Sequence, residues 1–589
     1  MAEQLATPAR PFERWVPGIR MLRTYRGPWL RADLIAGVVL AAILVPQGMA
    51  YAELAGLPPV TGLYTTVACL VGYALFGPSR ILVLGPDSSV SPLIFAAILP
   101  LLAVPDPSTA IALAGMMALF VGAIEIGLGI GKLGFVADLL SKEVQVGYMN
   151  GLAITIIVGQ LPKLFGFSTD ADGFINECKA FIDGIGGRNA TALAVGVGTL
   201  LVLLILPRIT KRIPAVLVAV VAATVVTGVF DLAAHGVSTV GTLPQGLPTP
   251  ALPSVRVGDL GPLLIAALGI VLVSLTDTIA TSTSFAARRG DEIDPNQEMV
   301  GIGAANVFAG FFQGFAISAS GSRTAVAEQS GSKSQVTGLA GAVIVVVLLL
   351  FLPALLQDLP QPTLAAVVIA AALSLANVTI LRTYLRMRRS ALVISVVATL
   401  AVILLGVLQG ILIAVVLSIL LFFRRNWWPH GEILGHVPSI GGWHNIGRYP
   451  DAERIDDVVV LRWEAPLFFA NAGIFRELIR EIVHRDRPRW IVLQCEAVTD
   501  VDVTAADMLE ALDIELNDQG INLAFVELRD RLQDLLHRYG LFASLDRTHV
   551  FPSIETALAT IEEESGGVEA GGTPPGDAPE LGESLPPSE

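Results

Sequence analysis

Asp277 stands in the apolar run VSLTDTIAT, and Thr281 follows it by four residues, which on a helix places both on one face. A carboxylate at membrane depth costs at least ~2.5 kcal/mol and marks function by default. With the Thr281 hydroxyl and nearby carbonyls, Asp277 is suited to a hard cation such as Na+. Desolvated and without a cation, it is instead a proton carrier. A structural ion pair with Arg323 is the third reading, because buried charges are usually paired. Glu125, in VGAIEIGLG, is a second carboxylate of this kind and is read as a hydrogen-bonding or interfacial residue.

Two other stretches hold the groups of an anion site. GPDSSVSPLI, from Gly85, and ISASGSRTAV, from Ile317, each combine small residues and hydroxyls with an apolar run behind, the pattern of a helix start. A helix N-terminus offers free N–H groups and about half a positive charge, so it holds an anion without a basic side chain. Ser88, Ser89, Ser320 and Ser322 add hydroxyl donors beside Gly321, and Arg323 adds a fixed charge. The competing explanation is that serine and glycine only let membrane helices pack closely. A third group comes from VPQGMAY, where Gln47 and Tyr51, four residues apart, face one cavity if the segment is helical. Pro46 and Gly48 are expected to loosen that helix.

These residues need a membrane scaffold to position them. The chain of 589 residues is 53% hydrophobic and only 15% charged, with mean hydropathy +0.67, which identifies a polytopic membrane protein. Stretches near the ~20 residues that cross a bilayer recur from Asp33 to Phe423, roughly fourteen in number, several short or broken. Two regions share a layout: a span holding VPQGMAY or VSLTDTIATSTSF, a second span, then one of the small polar stretches. Interrupted segments at matching positions in two halves point to a transporter site, since irregular backbone at membrane depth survives only where protein or a water-filled cavity satisfies it.

Charge sets the expected orientation. Arg10, Arg14, Arg20, Arg23, Arg26 and Arg31 precede the first span without a signal-peptide pattern, and LPRITKR, Arg288 with Arg289, RTYLRMRR and Arg424 with Arg425 fall on the same side of fourteen spans. Both termini are therefore expected in the cytoplasm, in a plasma membrane. The net charge of −14 does not imply a basic partner or nucleic acid, because eight carboxylates fall in residues 562–589, a Gly, Pro and Ser-rich tail read as disordered. Cys69, Cys178 and Cys495 are too scattered for a disulfide framework, and the seven histidines form no ligand pair, so no metal site beyond Na+ at Asp277 and Thr281, and no other cofactor, is implied.

After WWPHGEILGHVPSIGGWHN the hydrophobic blocks shorten to strand length and alternate with helical patterns: DDVVVLRWE, AGIFRELIREIVHR, RWIVLQCEAV, TAADMLEALDIELNDQG, INLAFVEL and RDRLQDLLHRYG. The expected organisation is an N-terminal segment 1–32, a transmembrane domain 33–424, a linker 425–449, a small α/β domain 450–565 and an acidic tail 566–589.

VPQGMAYAELAGLPPVTGLY, GPSRILVLGPDSS, KLGFVADLLSKEVQVGYMNGLAITIIVGQLPKLFG and SGSRTAVAEQSGSKSQVTGL, with the α/β segment behind, resemble the SulP family of anion transporters over about residues 30–565. The resemblance implies fourteen membrane segments in two inverted repeats of seven, a core domain moving against a gate domain in an elevator-like cycle, and a cytoplasmic STAS domain supporting a homodimer. It places Gln47, Tyr51, Ser88, Ser89 and Ser320 to Arg323 around the anion, and Asp277 where relatives carry an acid tied to H+ or Na+ coupling. Thr281 resembles the pattern of Na+-dependent bicarbonate members, whereas SGSRTAV resembles plant sulfate transporters. Where related bacterial regulators carry a phosphorylatable serine, this chain has Val503 in Asp502-Val503-Thr504-Ala505-Ala506, which favours a structural role for the STAS domain.

The expected function is secondary active transport of a small inorganic anion, sulfate first, with bicarbonate next and then a dicarboxylate or chloride. An anion-sensing membrane scaffold is the rival from another class. An enzyme has no nucleotide loop, metal cluster or paired catalytic carboxylates to rest on.

Overall fold

The computed structural model describes residues 16–566 apart from 103–105, 135–140, 170, 172, 211–213, 430 and 542–548. Arg10, Arg14, Lys211, Arg212 and the acidic tail from 567 onward lie outside the described residues. The chain divides into two compact units, Met1–Ile419 and Leu420–Glu589.

After a short helix α1 (Pro17–Thr24), the membrane helices follow in two sets of seven. The first set is α2 (Trp29–Leu54), α3 (Pro59–Phe76), α4 (Ser91–Ile98), α5 (Pro107–Ile130), α6 (Lys142–Leu164), α8 (Ala190–Ile209) and α9 (Ala215–Val229). The second is α10 (Leu260–Arg289), α11 (Pro295–Phe311), α12 (Gly321–Gln329), α13 (Val336–Phe351), α14 (Gln361–Leu375), α16 (Arg389–Leu405) and α17 (Val407–Trp427). Each set carries an amphipathic helix between its fifth and sixth members, α7 (Phe174–Gly184) and α15 (Val378–Met387), and a two-residue strand before its third, β1 (Leu84–Gly85) and β2 (Ser318–Ala319). This correspondence is the internal repeat that the two polar stretches announce.

The third member of each set, with 8 and 9 residues, rises only about 12–14 Å, less than half of the ~30 Å hydrocarbon layer. These two are half-helices. The break expected at VPQGMAY is not there: α2 runs unbroken through Pro46 from Trp29, four residues before the expected start of the span. Gly48 has a different purpose from loosening the helix. A Cβ on Gly62 of α3 would lie 1.9 Å from the Gly48 carbonyl oxygen, so this glycine pair lets two helix backbones touch.

Packing sorts the helices into two groups. α11 lies along α5 and α3, and α13 along α2 and α3, forming a core around β1 and β2. α14 lies along α6 and α8, and α16 along α6, forming a gate. α14 and α9 meet α2 at the seam between them. There Glu53 of α2 accepts a hydrogen bond from Gln361 Nε2 of α14 at 2.7 Å, and its other oxygen is 3.6 Å from Lys163 Nζ of α6. At the start of α2, buried Asp33 accepts from Lys333 N at 2.7 Å, from Ser334 Oγ at 2.7 Å and from Thr337 Oγ1 at 3.0 Å, tying α2 to the entry of α13.

The second unit is a six-stranded sheet in the order β4 (Trp443–Asn445), β3 (Gly431–His436), β5 (Val458–Trp463), β6 (Trp490–Gln494), β7 (Asn522–Val526), β8 (Val550–Phe551). β5 to β8 run parallel, joined through α18 (Ala472–Asp486), α19 (Val503–Asn517) and α20 (Asp530–Arg538), as the βα alternation requires. Alternate residues face opposite layers. Val459, Leu461, Ile491, Leu493 and Phe525 pack with α18, α19 and α20, while Val460, Val492 and Ala524 pack with α21 (Ile554–Gly566). Much of the stretch read as linker is sheet: β3 pairs with β5 through Glu432 opposite Arg462, and β4 with β3. Its Gly, Trp and His content hid two short strands, β4 at the sheet edge and β3 next to it, whose signal is pairing rather than apolar alternation.

Candidate functional site

β1 and β2 pair antiparallel, Leu84 opposite Ala319 and Gly85 opposite Ser318, in the interior of the membrane unit. Because the strands are antiparallel and each leads into a half-helix, α4 and α12 leave the crossing in opposite directions. Their N-termini face a common centre. Such backbone is tolerable only if its polar groups are satisfied by side chains, and they are. Val83 N donates to Thr324 Oγ1 at 3.1 Å, Ala319 N to Thr278 Oγ1 at 3.3 Å, and Ile317 N to Asn306 Oδ1 at 2.9 Å. Asn306 Nδ2 in turn donates to Glu125 Oε2 at 2.8 Å, and Ser274 Oγ lies 3.0 Å from Glu125 Oε1 and 3.2 Å from the Ile317 carbonyl. Glu125, wholly buried, is thus a hydrogen-bonding residue that braces β2.

The two half-helix starts differ. α12 begins after Ser320, no side chain caps it, and Gly321 and Ser322 are exposed, with the Ser320 and Ser322 hydroxyls 3.0 Å apart. This end is open to an anion. The other helix starts at Ser91, later than Ser88 and Ser89, because Asp87 captures both the N–H of Ser89 at 3.0 Å and its hydroxyl at 2.7 Å. Ser88 and Ser89 therefore lie in an Asp-closed turn ahead of α4.

Arg323 does not pair with Asp277. Its guanidinium, 1% exposed, crosses between the two half-helices to lie 3.6 Å from Asp87 and to donate to the carbonyls of Pro86 and Gly85. Tyr51 of α2 is buried, lies close to Ser88 and sits within electrostatic reach of Asp87 and Arg323. Gln47, one turn before, is half-buried on the same helix. Asp277 of α10 lies close to Ser89 and to Gln145 of α6, and feels the charge of Asp87. Thr281 lies beside the α12 start, its Oγ1 4.0 Å from where a Cβ on Gly321 would be. The residues singled out in three distant stretches are thus gathered at one crossing.

Sequence reasoning left out Asp87, Gln145 and Tyr148. Tyr148, one turn from Gln145 on α6, is fully buried, its hydroxyl has no hydrogen-bond partner among the described residues, and it lies within electrostatic reach of Asp277. Its signal was a polar pair at i, i+3 in VQVGYMN. Among the described residues no group of three His, Cys, Asp or Glu side chains could hold a metal ion.

Comparison with known proteins agrees with this architecture. The model of the sulfate permease family matches residues 30–398, and that of the STAS domain residues 449–557. The chain is 41% identical over 546 residues to the protein named Probable sulfate transporter MT1781 of Mycobacterium tuberculosis, covering 92% of this chain and 97% of that one. It is 29% identical over 564 residues to Sulfate transporter 4.1, chloroplastic, of Arabidopsis thaliana, covering 92% and 82%. The structure of the murine Solute Carrier 26 family member A9 anion transporter in the inward-facing state superposes with a TM-score of 0.87 at 25% identity, covering 95% of this chain and 96% of that one. With half-helices crossing inside a core, a separate gate and an α/β unit behind, the chain belongs to the sulfate permease family of secondary active anion transporters that carry a STAS domain.

Proposed function

We propose that the chain carries sulfate, symported with H+ or Na+ bound at Asp277, and that Gln47, Tyr51, Ser88, Ser89 and the open start of α12 at Ser320, Gly321 and Ser322 surround the anion. The observation that carries this reading is the charge balance at the crossing. Arg323 supplies one positive charge against the two carboxylates Asp87 and Asp277, so the cluster is negative by one while Asp277 is ionised. A proton or a cation on Asp277 brings the cluster to neutrality, and the helix ends then dominate the field the anion meets. Each partner raises the affinity of the other by the same factor, which is the thermodynamic content of symport. The names of the bacterial and plant relatives support sulfate.

The oxygen donors around Asp277 suit either coupling ion. Ser89 near the carboxylate, and Thr281 one helical turn on from it, supply oxygens for a hard cation, and the carboxylate alone suffices for a proton. Both termini cytoplasmic, a homodimer supported by the STAS domain, and domain limits near 33–424 and 450–565 belong to the same proposal. The test is uptake of labelled sulfate and of bicarbonate into proteoliposomes under imposed H+ or Na+ gradients. Sulfate accumulation that follows one cation gradient is expected and should vanish in Asp277→Asn. Bicarbonate uptake in its place would overturn the substrate, and full accumulation by Asp277→Asn would overturn the coupling role.

A further inference from the structure

A cavity of about 870 Å³ opens at one rim of the core, away from the crossing. Its walls come from five separated segments: α1, the α1–α2 turn, the loop after α3, the α10–α11 connection and the loop before α13. Each brings one basic side chain, Arg20, Arg26, Arg80, Arg289 and Lys333 respectively. Like charges converging from unrelated parts of a chain repel one another unless something negative lies among them. The carboxylates in the wall are Asp291, Glu292 and Asp294. Asp291 is 4.0 Å from Arg289, and Asp294 accepts from Asn296 N at 2.9 Å as the cap of α11. Among the described residues Arg20, Arg80 and Lys333 have no carboxylate partner.

The apolar surroundings say what kind of anion belongs there. On α1 and α2, the helices that supply Arg20 and Trp29 to the wall, Leu22, Leu30 and Leu34 are 62%, 46% and 48% exposed. Trp29 lines the cavity, edge-on to Tyr25, with the Arg26 guanidinium 5.7 Å from its ring. Tryptophan at this position is the usual mark of the bilayer interface. We propose that this cavity binds the phosphate headgroup of an anionic phospholipid, with the acyl chains lying against the exposed leucines of α1 and α2. A basic pocket at the end of membrane helices is the recognised setting for such a headgroup. The site is separate from the anion crossing and does not depend on which anion is transported.

The full-length protein is reconstituted in nanodiscs of phosphatidylcholine, with or without added phosphatidylglycerol, under saturating sulfate so that the transport site is filled. Native mass spectrometry then reads the retained lipid. Phosphatidylglycerol should be retained by the wild type and bound roughly thirtyfold more weakly by the double variant Arg80→Gln/Lys333→Gln. The exposed pair Arg382→Gln/Arg386→Gln on α15 should bind as wild type and controls for diffuse charge. Equal loss in both double variants, or no loss in the first, overturns the proposal. Protection of residues 17–29 from hydrogen exchange by inorganic pyrophosphate, with no retained lipid, would reassign the cavity to a soluble phosphate and overturn the lipid.

Discussion

Replacing Arg323 by Gln tests whether this residue acts on the anion or on Asp87. The two side chains are 3.6 Å apart and Arg323 is 1% exposed. At an effective dielectric constant of ~20 their attraction is about 5 kcal/mol. Removing one partner of such a pair costs about 3–5 kcal/mol, because the other charge stays buried and uncompensated. Arg323→Gln therefore takes the cluster with ionised Asp277 from one negative charge to two, next to the place where an anion must bind. The cost of the broken pair lowers the melting temperature. Separately, one more negative charge roughly 10 Å from a divalent anion repels it by about 3 kcal/mol at a dielectric constant of ~20, so sulfate uptake per folded protein in proteoliposomes should fall by roughly two decades. The decisive sample is Arg323→Gln/Asp87→Asn, in which the cluster returns to a single negative charge. It should recover most of the lost uptake and most of the lost melting temperature, a strongly non-additive cycle. A double variant as inactive as Arg323→Gln, yet as stable as wild type, would refute this reasoning and put the guanidinium on the anion itself.

Gly62→Ala should abolish the yield of monodisperse protein, since its Cβ would lie 1.9 Å from the Gly48 carbonyl oxygen, whereas Gly27→Ala, where nothing lies within 4 Å, should purify as wild type; size-exclusion chromatography reads both. In the STAS domain, Arg480 and Arg476 hold the Glu515 carboxyl down to about 2 from its usual 4.5. The folded value is the lower one, so the stabilisation is complete above about pH 4.5 and lost as the pH falls through about 2. Glu515→Gln should therefore lower the melting temperature of the α/β unit slightly at neutral pH, as for other exposed pairs, with the difference from wild type closing in strong acid; calorimetry across pH checks the sign.

The half-helices were legible because a membrane span leaves few reasons for GPDSS or SASGS, and Asp277 because a carboxylate in an apolar run has so few alternatives. What sequence could not provide was pairing. Arg323 reads as a charge for the anion or a partner for Asp277 until the antiparallel register of β1 and β2 brings it to Asp87. Pro46 and Gly48 read as a break because composition does not show that a glycine on the next helix needs the room. β3 and β4 read as linker because a short strand is defined by the neighbours it pairs with. Gln145 and Tyr148 were passed over because their importance comes from lying across the seam from Asp277, and that seam exists only in the fold.

The polar links across the core–gate seam come from two gate helices, α14 and α6: Gln361, at the start of α14, donates to Glu53. On α6, Lys163, in the last turn, reaches Glu53, and Gln145, in the first, lies close to Asp277. A stroke that carries the core past the gate must part whichever link is formed. The height of that barrier is thereby set on two helices that supply neither half-helix end nor any of the hydroxyls gathered at the crossing. Turnover and selectivity are written on different elements, so evolution can retune the speed of this carrier at α6 and α14 without redesigning what it holds.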